Sequence, residues 1–474
     1  MAISPQDKKP STHLANPTAL VVEKIPEQTS SVVAELTQDP EKDSATIILP
    51  QEKPPTKLLL PLSIQHTFAM FGASVLVPLL FGIDPGIVLL MNGLGTLFFI
   101  WIGKFKAPAY LGSSFAFLGP GALIIAAHGG GATGFSFAQG AFIVVGIVGC
   151  LLAAVIYKFG THWIDVILPP AAMGSVVSLI GFQLAANTVT GTTGLAGEIG
   201  AHLMGGGQVV GTWQDFTVFG VTLAVAVFGS ILFKKFFSTI PILIAIIVGY
   251  AVAAYLGQVD FTPVLQAGLF TLPHFQAPQF DLAACLTMLP AILVITAEHI
   301  SHQVVTSNIV GKDLVNDPGL HRTIFADNFS TALSGLVGGV PTTTYGENIG
   351  VMAITRVYSV YVIAGAAIIS ILMAFIGPLS ALICTIPGNV IGGVCFLLYG
   401  MIGASGIRLL VDKRVDYSKN KNLVLTSVIF VTGLSGLTVS FSGVSFNGMV
   451  LASIVAVIIS LLFALFDKLN LSNN

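Results

Sequence analysis

The chain has 474 residues, of which 54% are hydrophobic and only 9% are charged, and its mean hydropathy is +0.89. Because water-soluble proteins carry about 25% charged residues, this composition excludes a soluble protein and indicates a polytopic, all-α membrane protein. The net charge of −2 gives no indication of nucleic-acid binding, and the four cysteines lie in apolar segments that do not indicate a disulfide framework. The polar N-terminus does not resemble a cleavable signal peptide.

Residues 1–57 differ in composition from the rest of the chain. They contain 6 Lys and 8 Asp or Glu, together with many Pro, Ser, Thr and Gln. A segment of this kind cannot bury enough apolar surface to fold alone, and we predict a disordered cytoplasmic tail. Residues 45–49 alternatively suit a short strand at the membrane interface.

From Leu60 onward the sequence contains fourteen apolar segments, most of them long enough to cross a membrane. They lie at 60–81, 85–103, 107–127, 136–158, 165–187, 214–233, 238–256, 282–303, 321–339, 342–358, 360–381, 387–410, 422–441 and 446–467. The third and the tenth are interrupted by polar residues and glycine.

The positively charged residues beyond residue 57 support this count. With a cytoplasmic N-terminus, all 14 of these Lys and Arg fall at connections on the cytoplasmic side, and the seven outside connections have none. Random placement would put about half of them on each side, so the positive-inside rule supports fourteen spans with both termini in the cytoplasm.

Fourteen segments divide into two sets of seven, in 60–256 and 282–467, which predicts an internal repeat. Because seven is odd, the second copy must be inverted in the membrane. The third and tenth segments then occupy equivalent positions. Paired segments interrupted by Gly or Pro are the best sequence indication of the central site of a transporter.

The tenth segment combines polar residues with a change in backbone preference. The threonines at 342–344 favour an extended backbone, and from Glu347 the pattern is helical over only about 18 Å, roughly half of the bilayer core. We predict that 112–117 and 342–346 pair as two short antiparallel strands at mid-membrane. Each strand would satisfy backbone groups of the other that lipid cannot satisfy.

Three ionisable residues lie deep in the apolar segments, where charges are unfavourable and usually functional: Glu298, Asp327 and Glu347. Glu298 and His302 are four residues apart and share one helix face. Together with Glu347 they predict a polar pocket of two carboxyl groups and an imidazole.

Structural roles are alternatives for several of these residues. Glu347 also suits the capping or the dipole of a short helix, and Glu298 with His302 also suits a structural ion pair. A metal site built from His299, His302 and a carboxylate is disfavoured because no zinc-type spacing is present. His299 lies about 100° around the helix from Glu298 and is interpreted as a packing residue.

Asp327 and His66 each allow a structural and a functional interpretation, and Phe115 is a candidate functional residue. Asp327 suits burial or a hydrogen bond to a neighbouring helix, and a functional role is the weaker alternative. His66, next to Gln65, favours an interhelical hydrogen bond over a ligand contact. Phe115 would offer a stacking surface to a flat solute from its place on the predicted strand.

A motif that begins at Glu347 identifies a resemblance to a known family. The run Glu347-Asn-Ile-Gly350-Val-Met-Ala-Ile-Thr355-Arg356 matches the signature of the nucleobase–ascorbate transporter family, which is Gln or Glu, Asn, any residue, Gly, four residues, Thr, and Lys, Arg or Gly. Four further runs resemble its uracil-transporting branch, and the similarity covers about 60–470. The runs begin Gln65-His-Thr-Phe-Ala-Met-Phe-Gly, Tyr110-Leu-Gly-Ser-Ser-Phe, Pro169-Pro-Ala-Ala-Met-Gly and Asp317-Pro-Gly-Leu-His-Arg.

The resemblance implies fourteen spans in two inverted repeats, with a core domain of spans 1–4 and 8–11 and a gate domain of spans 5–7 and 12–14. On this sequence the core comprises 58–160 and 281–384, and the gate comprises 161–280 and 385–474. The resemblance also implies proton-coupled uptake across the cytoplasmic membrane, driven by the proton gradient without a cofactor. It further implies a homodimer formed through the gate domains.

The resemblance also implies which residues bind substrate. Carried over position by position, Glu298, His302 and Glu347 match side chains that contact uracil. We expect these three to titrate as a coupled set that binds the transported proton.

Four more positions match the family's site. Phe115 and Gly346 match residues that offer backbone amides to the substrate. Tyr345 matches a residue in the wall of the site, and Tyr399 matches a tyrosine on its gate side.

The first residue of the signature favours uracil as the substrate, because the purine-transporting branch usually has Gln where this chain has Glu347. Two departures from the family pattern are Asp327, where relatives have Asn, and 339–342, which replaces a more polar run. The alternatives are another nucleobase, such as xanthine or urate, and, with less support, an anion transporter, for which two carboxyl groups are unfavourable. An enzyme is the least favoured alternative, because the sequence shows no nucleophile–base pair and no metal cluster.

Overall fold

The computed structural model describes residues 47–190, 212–441 and 444–471. The helices of the first half are α1 (Thr56–Phe81), α2 (Pro85–Ile102), α3 (Leu118–Ala127), α4 (Gly131–Phe159), α5 (His162–Ile167), α6 (Pro170–Thr190), α7 (Trp213–Leu232), α8 (Pro241–Tyr255) and α9 (Thr262–Gln266). Those of the second half are α10 (Leu282–Met288), α11 (Ala291–Val310), α12 (Leu320–Val337), α13 (Gly346–Thr355), α14 (Val360–Met373), α15 (Gly377–Cys384), α16 (Gly388–Asp412), α17 (Asn420–Leu434) and α18 (Gly448–Lys468). The strands are β1 (Leu111–Ser113), β2 (Thr342–Thr344), β3 (Thr438–Phe441) and β4 (Val444–Asn447).

The long helices are apolar on most of their surface, as expected of segments inside a membrane. Among the described residues, seven helices are long and apolar enough to cross a bilayer, and four shorter ones are also apolar. Gly311 follows α11 and Gly338 follows α12 in the left-handed conformation, which glycine adopts without steric cost. The prediction of an all-helical membrane protein is therefore confirmed.

Three predicted segments are divided in the structure, each near a proline. The fifth segment is divided into α5 and α6 at Pro169, the eighth into α10 and α11 at Pro290, and the eleventh into α14 and α15 before Pro378. Proline lacks the N–H group that would continue a helix. Each of these three apolar segments is therefore formed by two consecutive helices.

The thirteenth segment also ends earlier than predicted. Helix α17 stops at Leu434, and Gly436 has a positive φ of 72°. Strands β3 and β4 then form an antiparallel hairpin in which Thr438 pairs with Asn447. Residues such as Thr and Val favour extended backbone, and the helical prediction for 435–441 is wrong.

Two groups of helices account for the closest packing. In the first, α4 packs on α12, while α14 packs on both α1 and α2. In the second, α16 packs on α6 and α7, α7 packs on α8, and α17 packs on α18. Each group combines helices from both halves of the sequence.

The long connection between α8 and α10 is bonded to the first group through residues 268–279, which we call the connector. Its backbone N–H groups donate to four separate elements. The bonds are Thr271 to Phe375 O at 3.0 Å, His274 to Asp84 Oδ2 at 2.8 Å, Gln276 to Val337 O at 3.2 Å and Gln279 to Ser136 O at 2.9 Å. These acceptors lie at the end of α14, before α2, at the end of α12 and in α4.

The predicted pairing of the two interrupted segments is confirmed in a shorter form. Strands β1 and β2 are antiparallel, and Leu111, Gly112 and Ser113 lie opposite Thr344, Thr343 and Thr342. Each strand has three residues instead of the five or six predicted. Phe115 begins a 3₁₀ turn and Gly346 begins α13, so placing Phe115 on the strand was wrong.

The end of the predicted disordered tail is corrected by the structure. Ile48 forms a parallel bridge with Val357, and α1 begins at Thr56, before the predicted boundary at residue 57. A short strand was predicted at 45–49. Within its described part, 47–49, the structure has only the single bridge at Ile48. Residues 1–46 lie outside the described residues.

Candidate functional site

The outer edges of the strand pair are closed by two threonine hydroxyls. Thr96 of α2 accepts a hydrogen bond from Leu111 N at 2.9 Å and donates one to Leu111 O at 3.3 Å. Thr331 of α12 accepts from Thr342 N at 3.1 Å and donates to Thr342 O at 3.0 Å. Each hydroxyl therefore satisfies both backbone groups of the first residue of one strand, as burial in an apolar environment requires.

A ten-residue helix follows each strand. Helices α3 and α13 both have 10 residues, about 15 Å of helix and half the thickness of a bilayer core. Tyr345 precedes α13 in an extended conformation and provides no side-chain cap. The first N–H groups of such a helix are available to an acceptor from outside it.

His302 lies against the junction between β2 and α13. Its Nδ1 atom is 2.9 Å from Thr344 Oγ1, and its Nε2 atom is 3.4 Å from the position that a Cβ on Gly346 would take. Helix α11 therefore contacts both the last residue of β2 and the first residue of α13. The bond to Thr344 restrains the imidazole ring, and the Nε2 atom faces the start of the helix.

The two predicted carboxyl groups approach this junction from different helices. Glu298 lies one turn before His302 on α11, is half-buried, and is close enough to Glu347 and Asp327 to interact with their charges. Glu347 lies in the first turn of α13 and is exposed, as is Gly346, whereas Tyr345 and Asn348 on either side are buried. The junction is thus an accessible, acidic position between buried residues.

Phe115 follows strand β1 and Tyr345 follows strand β2, and the two belong to one side-chain cluster. Phe115 is half-buried at the start of the turn that leads into α3. Tyr345 is buried, its ring lies over Gly112, and its hydroxyl donates to Ser113 O at 2.8 Å. This geometry makes Tyr345 a brace between the strands, and its contact with a substrate stays a prediction.

Tyr399 belongs to a different packing group from the other predicted site residues. It lies on α16, which packs against α6, and its side chain is buried. Its contact with a substrate also stays a prediction.

His299 and Asp327 form a buried pair behind the junction. His299 Nδ1 lies 2.8 Å from Asp327 Oδ2, and their side chains are only 2% and 4% exposed. The pair joins α11 to α12, the helix that carries Thr331. The prediction that Asp327 bonds to a neighbouring helix is confirmed, and His299 is its partner.

His66 joins α1 to α13. Its Nδ1 atom accepts a hydrogen bond from Asn348 Nδ2 at 3.0 Å, and its carbonyl oxygen accepts a second one at 3.1 Å. The preferred interpretation of His66 as an interhelical hydrogen-bonding residue is confirmed.

Sequence reasoning missed the threonines that position this site. Thr344 orients His302, and Thr96 and Thr331 close the strand edges, but the threonines at 342–344 indicated only extended backbone. A usable signal was present for Thr96 and Thr331, because each is a polar residue inside the apolar segment that precedes an interrupted segment.

Comparisons with known proteins identify a family. The model of a family described as a permease family matches residues 57–442. A uracil permease of Escherichia coli is 51% identical over 418 residues, covering 88% of this chain and 94% of that protein. A uracil permease of Paenibacillus larvae is 47% identical over 430 residues, covering 90% and 99%, and one of Bacillus subtilis is 46% identical over 408 residues, covering 84% and 91%.

Solved structures share the fold at low sequence identity. The transmembrane domain of a cyanobacterial bicarbonate transporter has a TM-score of 0.61 at 15% identity and covers 88% of this chain and 100% of that one. A murine anion transporter of the solute carrier 26 family has a TM-score of 0.63 at 12% identity and covers 98% and 77%. These similarities establish the fold alone.

Proposed function

The chain belongs to this permease family, so it is a multi-pass membrane transport protein and not an enzyme, and we propose that it imports uracil together with protons. The proposal of uracil is supported by the bacterial uracil permeases, which are 46–51% identical over most of their length. Glu347 at the start of the signature supports it further.

The observation that carries the proposal is the junction of β2 and α13. Gly346 and Glu347 are exposed there between buried neighbours, and His302 faces Gly346. Uracil presents two ring N–H donors and two carbonyl acceptors on a flat ring. The carboxylates of Glu298 and Glu347 suit the donors, and N–H groups at the start of a helix suit a carbonyl.

Phe115, Tyr345 and Tyr399 complete the proposed site. Phe115 is half-buried at the start of the other short helix, where it offers its ring face and backbone amide to the base. Tyr345 forms part of the wall of the proposed site and braces the strand pair. Tyr399 contributes to the proposed site from α16, in the second packing group.

Proton coupling follows from the two carboxyl groups. Two nearby carboxylates repel each other, and this repulsion grows when a bound solute covers the exposed junction and excludes water. A proton that enters with the solute removes this unfavourable interaction. We propose that Glu298, His302 and Glu347 share this proton as a coupled set. The inward proton gradient then drives accumulation of the solute.

The proposed architecture is fourteen spans in two inverted repeats, with a core and a gate. The division of the helices into two packing groups supports the proposed core (58–160 and 281–384) and gate (161–280 and 385–474), except that the connector at 268–279 is bonded to the core. The equivalent threonine bonds at β1 and β2 support the repeat. The positive-inside rule supports a cytoplasmic location for both termini, and we propose a homodimer through the gate.

An anion transporter is the alternative that the shared fold suggests, because the structural relatives transport bicarbonate or other anions. A site for an anion requires net positive charge. Glu298 and Glu347 make the junction acidic instead, which favours a neutral base entering with a proton.

Uptake of radiolabelled uracil into membrane vesicles, with and without an imposed pH gradient, tests the proposal. We expect accumulation when the outside is more acidic, its loss on adding a protonophore, and stronger competition by unlabelled uracil than by xanthine or urate. Stronger competition by xanthine would assign a different nucleobase. Uptake that ignores the pH gradient would contradict proton coupling.

A further inference from the structure

Helix α13 has few buried residues, and the hydrogen bonds from its Asn348 to His66 lie near its first end. It is short, and of its ten residues only Asn348, Ile349, Val351 and Met352 are buried. Strand β2 restrains its first end. Its other end is at Arg356, which has a left-handed φ of 56° and leads directly into an extended linker to α14.

That linker is paired with residues 48–52, which we call the N-terminal strap. Ile48 N donates to Arg356 O at 3.3 Å, and Ile48 O accepts from Tyr358 N at 2.8 Å. Pro50 O accepts from Val360 N at 2.9 Å. The strap therefore supplies the backbone partners of the linker over three successive bonds, starting from the residue that ends α13.

Side chains strengthen this pairing. Ser359 Oγ donates to Glu52 O at 2.6 Å, and the Glu52 carboxylate accepts from Leu49 N at 2.9 Å, which closes the strap into a turn. Ile48 is only 7% exposed and packs with Val357 and Val362. A branched apolar side chain thus anchors the strap at the bridge itself.

The strap is continuous with a well-anchored part of the molecule. It leads into α1, whose Ser63 Oγ donates to Val362 O at 2.9 Å and whose Thr67 Oγ1 donates to Ala366 O at 3.3 Å. The strap, α1 and α14 therefore hold the far end of α13, while β2 holds the end that carries Gly346 and Glu347.

We propose that the N-terminal strap is a positioning element of the transport site, with Ile48 as its positioning residue. By holding the linker at 356–360, the strap sets the position of α13 along its helix axis. That position determines where Gly346 and Glu347 contact the substrate. The role rests on the proposed function for the identity of the substrate. Opening the strap lets α13 shift away from the binding position, so that only a fraction of molecules binds substrate at any moment.

The matched variants are Ile48→Asp and Ile47→Asp in the full chain. They introduce the same charge at adjacent isoleucines, of which Ile48 is 7% and Ile47 is 53% exposed. Burying a charge among apolar side chains is strongly unfavourable, so only Ile48→Asp should open the strap. Ile48→Ala, a milder change, provides a second variant if Ile48→Asp does not fold.

Hydrogen exchange and equilibrium binding, both on purified protein, measure the effect of each variant. Hydrogen exchange at the amides of Tyr358 and Val360 reports opening of the strap, and exchange at Val351 and Met352 reports loosening of α13. Equilibrium binding of radiolabelled uracil reports the site. For Ile48→Asp we expect faster exchange at all four amides and an apparent Kd raised about tenfold, since a tenth of the molecules remains competent.

If Ile48 had a purely structural role, Ile48→Asp would change other measured quantities. It would reduce the yield or thermal stability while leaving the Kd of the folded protein unchanged. Under the proposal, Ile47→Asp matches the wild type, Ile48→Ala lies between, and uptake at saturating uracil changes far less than the apparent KM.

Faster exchange at Tyr358 and Val360 with an unchanged Kd would overturn the proposal, and so would unchanged exchange at those amides. If the wild-type protein itself does not bind uracil, the proposed substrate fails instead. Exchange at Val351 and Met352 then still shows whether the strap holds α13.

Discussion

The two interrupted segments of the molecule share a framework. Each has a three-residue strand followed by a ten-residue helix, and in each the first strand residue bonds through both its N–H and its C=O to one threonine hydroxyl of an earlier helix. The threonines are Thr96 and Thr331. The two halves therefore solve the same problem, an extended backbone deep in an apolar protein, in the same way.

Their side chains differ completely. The first segment, from Leu111 to Ala127, contains no ionisable residue, whereas the second contains Glu347 and contacts His302. The second is also held at its far end by the N-terminal strap. Under the proposed function, the first half supplies backbone groups and the ring of Phe115 to the site, while the second half supplies the charge.

The largest expected effect comes from removing the charge that distinguishes the second segment. Glu347→Gln keeps the shape of the side chain but removes a charged hydrogen-bond acceptor, a loss of up to about 3 kcal/mol, or about a hundredfold in uptake. Radiolabelled uracil uptake measures it, with Asp260→Asn in an exposed loop as the control. Uptake by Glu347→Gln within twofold of the wild type would remove Glu347 from the site.

Overpacking the contact between the two segments should have the next largest effect. A Cβ on Gly112 would lie 2.2 Å from Tyr345 Cε2, whereas a Cβ on Gly119 would have nothing within 4 Å. We expect Gly112→Ala to lower the free energy of unfolding by about 3 kcal/mol, and Gly119→Ala to leave it nearly unchanged. Thermal unfolding in detergent compares them, and equal melting temperatures would contradict the packing of Tyr345.

The shared framework is tested by changing both threonines. Thr96→Val and Thr331→Val each leave two buried backbone groups without a partner, at a cost of about 2 kcal/mol. If the halves are equivalent, the two variants should be destabilised by similar amounts in thermal unfolding. A large effect at one position and none at the other would show that only one strand edge depends on its threonine.

The smallest expected effect is on thermal stability. It comes from an ion pair between the residues that precede β1 and those that precede α12. Lys106, before β1, lies 2.5 Å from Asp317, before α12, and its hydrogen bond and charge lower the pKa of the exposed Asp317 carboxyl. A lowered pKa in the folded state means that the stabilisation by the pair is fully present above the unfolded pKa of about 3.9. It is lost progressively as the pH falls from there through the lowered pKa of the folded state.

Lys106→Ala should therefore melt slightly below the wild type at pH 7. The difference should shrink as the pH falls below about 4 and should vanish only below the lowered pKa of the folded state, where the carboxyl is protonated in both states. A difference that persists unchanged at pH 3 would assign the effect of Lys106 to packing rather than to Asp317.

Much of the fold was predictable because its signals are local. Apolar runs located the helices, and the threonines at 342–344 followed by Gly346 indicated a strand that turns into a helix. The strand ended earlier than predicted for a specific reason. Ser114 donates to Pro341 O at 2.9 Å, but Pro341 has no N–H to return the bond, so the ladder cannot continue to Phe115.

The site was predictable only in part, because its contacts join residues far apart in sequence. The spacing of Glu298 and His302 placed them on one helix face, and the signature added Glu347. No periodicity shows that His302 bonds to Thr344, that His299 bonds to Asp327, or that Ile48 pairs with Val357. Those partners depend on how helices pack, which is a property of the whole chain.

The connector has a practical consequence for labelling the protein. Because its backbone is bonded to four elements of the first packing group, an insertion within 268–279 would disrupt several of those bonds at once. Helix α9, just before it, has no buried residue, and Leu265 is 84% exposed. Exposed segments without such bonds tolerate insertions, so an epitope or fluorescent reporter belongs at α9, where the proposed topology makes it readable from outside intact cells.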